Sequence, residues 1–155
     1  AIASYPMYRG LAELIGMKIL PTGRYFDDQL DTLEANYNDY EFFFLHYKPA
    51  DAAGEDGDFE AKVVALEELD SQIPRILDCN PDTLVIGGDH STPAIMASHS
   101  WHPVPILVHS TFTSGDGVPE FSERTCKLGS IGQIPATSVM MIAMSNAGKL
   151  QKYGP

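Results

Sequence analysis

Positive charge is scarce in this 155-residue sequence: ten Lys and Arg stand against twenty-one Asp and Glu, a formal charge of −11. No stretch gathers the basic residues together. Phosphate backbones and anionic membrane surfaces need concentrated Lys and Arg, so neither nucleic acid nor a membrane is an expected partner. Cysteine is nearly absent. Cys79 and Cys126 are far apart and outside any metal-type spacing, which favours two free thiols in a reducing cytoplasm over a disulfide. The longest apolar run, SVMMIAM, falls far short of the ~20 residues a bilayer span requires. The opening AIASYPMYRG lacks the basic and apolar regions of a signal peptide. It also lacks an initial Met, as a fragment or processed product would. There is no Gly-x-Ser-x-Gly nucleophile elbow, no phosphate loop and no dinucleotide fingerprint.

What is present is 44% apolar, the composition of a globular chain able to bury a core. The length fits a single domain, or part of one, over residues 1–155. AIAS reads as a short strand. PMYRGLAELIGM reads as a helix opening at Pro6, with Leu11, Leu14 and Ile15 on one face. FDDQLDTLEANYNDY is a second helix, acidic where the helix dipole favours it. EFFFLHY, 41–47, has the look of a strand covered on both faces. KPADAAGEDGDF reads as a polar loop. A long helix from about Phe59 to Leu77 follows, with Asp58 as N-cap and Val63, Leu66, Leu69, Ile73 and Ile76 at helical spacing. DTLVIGG (82–88) and VPILVH (104–109) are two more strands. FSERTCKLG is a short helix stopped by Gly129, and ATSVMMIAMSNAGKLQKYG a final amphipathic helix with a basic end. Strands alternating with helices predict an α/β layered sheet flanked by helices. In such sheets ligands bind beyond the carboxyl ends of strands, where the polar stretches 49–57 and 87–93 fall.

Both stretches carry metal-type side chains. Asp51 and Glu55 are four apart and can converge on one point, with Asp56 and Asp58 adding charge. A solvated acidic loop is the plainer account, and no register matches an EF-hand. Asp89-His90 follows Gly87-Gly88, which permits a sharp turn or a close ligand, and precedes Thr92-Pro93, which stiffens the loop. Carboxylate with imidazole suits Mn²⁺ or Zn²⁺. His99 and His102 sit in the same excursion. If strand 104–109 runs back antiparallel, His99 stays near Asp89. Asp51, Glu55, Asp89, His90 and His99 then exceed the needs of one ion and suit a pair, as in phosphoryl-transfer enzymes. Ser91 is the only hydroxyl beside this set to weigh as a nucleophile.

DAAGEDGDFEAK, GGDHSTPA and HSWHPVPILV, in this order, resemble the C-terminal half of cofactor-independent (2,3-bisphosphoglycerate-independent) phosphoglycerate mutases. The archaeal-type branch, within the alkaline phosphatase superfamily, is the nearest resemblance. SYPMYRGLAELIGMKI and the segment from Phe121 extend it across most of the chain. The resemblance implies an alkaline-phosphatase-like fold, of which this chain is the C-terminal half. It assigns Asp51 and His99 to one divalent ion, with Glu55 where many relatives carry His, and Asp89 and His90 to a second. Glu55 makes the first site harder and favours Mn²⁺ or Mg²⁺ over Zn²⁺. The family's nucleophilic serine and a further aspartate have no counterpart here, so no catalytic residue is assigned in this chain, which alone is expected to be inactive. The implied reaction is interconversion of 3- and 2-phosphoglycerate in glycolysis and gluconeogenesis, through a phosphoserine. Two alternatives stay open: a metal-dependent phosphatase or other phosphoryl-transfer hydrolase of that superfamily, and a non-catalytic metal-binding domain. Self-association through an exposed sheet edge is also expected of a half-domain.

Overall fold

Helix α1 (Pro6–Leu14) begins at Pro6, where the missing N–H leaves no intrahelical bond unmade. Residues 1–150 are described in the computed structural model. They fall into two units: Ala1–Cys79 with Ala94–Ser98, and Asn80–Pro93 with the residues from His99 onward. Among the described residues no helix is long and apolar enough to cross a membrane. Both cysteines are free thiols, as expected.

In the first unit, α2 (Phe26–Asn36), α3 (Pro49–Glu55) and α4 (Phe59–Asp78) follow α1. Ile2, Leu20, Phe26, Leu30 and Leu33 form the buried cluster, and Leu45, Tyr47, Leu69 and Ile76 pack against it. Leu69 and Ile76 thus do what their spacing predicted, whereas Leu66 is half exposed. Leu11, Leu14 and Ile15 are exposed too, and α1 buries Ala12 instead. Their apolar face meets no cover among the described residues.

The run 41–47 departs from expectation. It forms no strand ladder, only a parallel bridge between Leu45 and Ile2. Two bonds make it: Ile2 N–H to the Phe44 carbonyl at 2.8 Å and His46 N–H to the Ile2 carbonyl at 3.1 Å. A strand covered on both faces needs neighbours along both edges. Among the described residues this run has one short neighbour, and Phe42 stays 49% exposed. The expected strand at AIAS is the other half of the same bridge.

Tyr47 fastens the end of this run to α4. Its hydroxyl hydrogen is shared between the Ala65 carbonyl at 2.7 Å and Glu68 Oε2 at 2.9 Å. Burial, then the hydrogen bond and charge of Glu68, push the phenol well above its ordinary pKa.

The stretch 49–57, expected as a loop, is mostly helix α3, and it passes into α4 through Asp56, Gly57 and Asp58. Gly57 adopts φ +71°. Its N–H donates to the Gly54 carbonyl at 3.2 Å, and Asp58 N–H to the Ala53 carbonyl at 3.0 Å. That pair of bonds is a Schellman C-cap. Asp58 then caps α4, as predicted, by accepting from Ala61 N–H at 2.9 Å. One residue pair therefore closes one helix and opens the next. A side chain at Gly57 would be strained by its φ, and its Cβ would lie 3.3 Å from the Ala97 Cβ.

In the second unit, β1 (Thr83–Gly87) and β2 (Ile106–Ser110) pair antiparallel, with Thr83 opposite Ser110 and Gly87 opposite Ile106. The condition set for keeping His99 near Asp89 is thus met. Helix α5 (Glu123–Cys126) is capped by Ser122, which accepts from Thr125 N–H at 3.3 Å. Helix α6 (Val139–Asn146) is shorter than expected. Gly148, at φ +67°, ends it with a second Schellman pair, its N–H to Ser145 and that of Lys149 to Met144. Lys152, in the expected basic end, lies outside the described residues.

Two outcomes follow from these contacts. Gly57→Ala places a Cβ in the left-handed region and is expected to cost about 1–2 kcal/mol in a urea melt. Tyr47→Phe is expected to cost about 1 kcal/mol at neutral pH. Because folding raises the Tyr47 pKa, its stabilisation is complete below the unfolded value near 10 and is lost as pH rises above it. Stability of the parent chain should thus fall more steeply above pH ~10 than that of Tyr47→Phe, as parallel urea melts from pH 8 to 11 will show.

Candidate metal centre

Lys48, Asp51 and Glu55 stand at i, i+3 and i+7 along α3, which sets them on one face of the helix. Lys48 occupies the N-cap position and Pro49 the first turn. The Lys48 ammonium hydrogen-bonds Asp51 and lies 3.3 Å from Glu55 Oε2. The Asp51 and Lys48 side chains are about three-quarters buried, while that of Glu55 is 45% exposed. The bond to Asp51 holds the Lys48 pKa above its ordinary value, against the opposing effect of burial, with Glu55 adding to the rise. Two carboxylates therefore converge on a single positive charge. Both are carboxylates, the donor type that a hard divalent ion takes.

The second unit arranges its imidazoles with equal economy. Asp89 and His90 lie just past the end of β1. Asp89 Oδ1 accepts from the His90 backbone N–H at 3.1 Å, and Asp89 Oδ2 stands 3.6 Å from His90 Nε2. Ser91 and Ser100 form an antiparallel bridge, with Ser100 N–H donating to the Ser91 carbonyl at 2.9 Å. That bridge sets His90 against His99, their ring centroids 3.9 Å apart and their planes inclined by 33°. A nitrogen of one ring lies within 4.8 Å of a nitrogen of the other. His102 is directed elsewhere: its Nδ1 is 2.8 Å from Ser100 Oγ and its ring stacks on Trp101.

Thr92 is the residue that sequence reading undervalued here. It is 4% exposed, and its hydroxyl lies 3.1 Å from His90 Nδ1. When Nδ1–H donates to Thr92, the Nε2 lone pair is the acceptor, the form an ion needs. The spacing His-x-Thr was the available signal. Lys48 was missed as well, because 49–57 read as a loop hides the i, i+3, i+7 pattern. Gly87 and Gly88 have no positive φ. A Cβ on Gly88 would meet the His90 carbonyl at 3.4 Å and Val104 at 3.5 Å, ordinary contacts. The conformational freedom that the Gly-Gly pair permits is not used through φ, since the chain leaves β1 in a conformation any residue adopts.

These two sets of donors have relatives. The metalloenzyme superfamily pattern matches residues 21–146. Over 154 residues the chain is 52% identical to a probable 2,3-bisphosphoglycerate-independent phosphoglycerate mutase of Thermotoga maritima. It is 47% identical to one of Aquifex aeolicus over the same length. Each alignment takes in 99% of this chain and 38% of the relative, so the chain spans well under half the length of these curated proteins. A Pyrococcus horikoshii protein of solved structure superposes on 96% of this chain with a TM-score of 0.89 at 30% identity, through 48% of its own length. That likeness bears out the fold class read from the sequence, an α/β layered arrangement of the alkaline-phosphatase-like kind, whose sheet among the described residues is the antiparallel pair β1–β2. By the match across 21–146, the chain belongs to the metalloenzyme superfamily.

Proposed function

We propose that this chain is the metal-binding part of a 2,3-bisphosphoglycerate-independent phosphoglycerate mutase, an isomerase acting on phosphoglycerate in glycolysis and gluconeogenesis. The observation that carries the reading is the pair Asp51 and Glu55 converging on one cation, within a chain 52% identical to a probable mutase of this kind.

Asp51, Glu55 and His99 would hold one divalent ion, and Asp89 and His90 would contribute to a second. Glu55 gives the first set two carboxylates, a hard donor set that suits Mn²⁺ or Mg²⁺ better than Zn²⁺. Bound ions of this kind polarise phosphoryl oxygens and lower the pKa of an attacking hydroxyl. The chain's own residues have simpler tasks. Asp51 and Glu55 are fixed on α3, so their separation is set by a helical turn and not by a loop. Thr92 steadies the tilt of the His90 ring through its hydroxyl beside Nδ1. With net charge −11, the chain has few other ways to draw in a phosphorylated anion.

The nucleophilic serine belongs, on this reading, to sequence outside these 155 residues, as the 38% coverage of the relatives suggests. The 155 residues alone then bind metal without interconverting substrate. Exposed Ile95, Trp101 and Phe112 are apolar surfaces through which the chain alone would self-associate. The cytoplasm, with its reducing thiol chemistry and phosphoglycerate supply, is the matching compartment.

Calorimetric titration with Mn²⁺ tests the ligand set. Asp51→Ala should abolish detectable binding. Thr92→Val, which removes the hydroxyl beside His90 Nδ1, should weaken it by about tenfold. Binding unchanged in both would refute the assignment. The activity is tested on the protein that contains a partner segment with the missing serine, assayed with Mn²⁺ for 3- to 2-phosphoglycerate conversion. Conversion is expected, and release of inorganic phosphate without isomerisation would point to a phosphatase instead.

A further inference from the structure

Lys48 sits where a helix gains nothing from it. Good N-caps carry a short acceptor side chain, and a cation at the N-terminus opposes the helix dipole. The Lys48 side chain makes no capping bond. It turns along α3 to Asp51 and Glu55, placing its ammonium where their carboxylates converge. The same ammonium lies 5.2 Å from the Tyr5 ring centroid, within cation–π range. It thus has two sets of partners, carboxylates on one side and an aromatic face on the other.

We propose that Lys48 is a tethered counter-ion that holds the Asp51–Glu55 pair in register and must be displaced for a divalent ion to bind there. The inference rests on the reading of Asp51 and Glu55 as metal donors. Its physical basis is charge. Two carboxylates with the ammonium present a net −1, and without it −2, so a divalent ion is attracted less strongly while Lys48 stays. An ammonium and a divalent ion a few ångströms apart also repel. Tyr5 gives the displaced ammonium somewhere to go, which keeps the release from stranding a partly buried charge. Lys48 therefore acts as a positioning residue. It prevents the carboxylates from repelling each other apart when no ion is held, and it sets the threshold at which an ion enters.

The test is calorimetry with Mn²⁺ alone on the 155-residue chain, with circular dichroism confirming helix content of each variant. Lys48→Met should tighten the Kd by about fivefold, the scale of a partly exposed ion pair. Lys48→Arg, which keeps the charge, should stay within about twofold of the parent. An unchanged or weaker Kd in Lys48→Met, with Asp51→Ala still abolishing binding, overturns the role of Lys48 and leaves the donor assignment standing. Binding that survives Asp51→Ala overturns the donor assignment and this inference together. A second measurement needs no variant. Acetylation of Lys48 in the parent chain, read by mass spectrometry against Lys18 and Lys62, should rise severalfold on saturation with Mn²⁺. No rise relative to those two lysines would contradict displacement.

Discussion

Two carboxylates on one face of a short helix repel each other, and everything at this site depends on how that repulsion is met. Asp51 and Glu55 are four residues apart, close enough for like charges to destabilise the helix that carries them. Helix α3 has only seven residues and no favourable side-chain cap. By itself it would be marginal. It persists because it is tied at both ends: Lys48 bridges its acidic face, and the Gly57 and Asp58 N–H groups donate to its last carbonyls while the Asp58 side chain caps α4. The metal-type donors are therefore placed by helix geometry and held by a cation. A longer loop with the same residues would leave their separation undefined.

The second unit solves a different problem by a different route. Two imidazole rings do not attract each other as opposite charges do. A backbone device brings His90 and His99 together instead, the Ser91–Ser100 bridge beyond the paired ends of β1 and β2. The Thr92 hydroxyl, 3.1 Å from His90 Nδ1, then holds the orientation of that ring. The carboxylates are positioned by side-chain charge and the imidazoles by main-chain pairing. Each mechanism suits the chemistry of the group it holds.

Much of this was legible in the sequence, for reasons that differ by element. Helix α4 was plain because its cap, its period and its length agree. The strands β1 and β2 were plain because short apolar runs flanked by Gly, Pro and Asp have few other readings. The run 41–47 misled, since hydrophobicity reports burial potential and not whether an edge exists to pair with. Its Phe42 stays half exposed, and only at Leu45 does the run make a strand-type bridge among the described residues. The stretch 49–57 misled in the opposite sense. Pro49, Gly54 and Gly57 are loop signals by composition, yet Pro49 sits at a helix start and Gly57 just past a helix end. Position decided what composition could not.

The donor residues were legible sooner than the residues that support them, and this has a physical cause. A metal ligand must be one of a few residue types, so the proposed donors Asp51, Glu55, Asp89, His90 and His99 can be picked out by identity alone. Support can come from any residue able to reach. Thr92 works through one hydroxyl aimed at Nδ1, and Lys48 through an ammonium brought back over one turn of helix. Neither is visible until the local backbone is known, because a threonine two residues on in a helix would point away from the ring. In the extended backbone that follows His90, the same spacing brings the hydroxyl to the imidazole. Site chemistry in this chain is therefore written in residue types. Its tuning is written in φ and ψ.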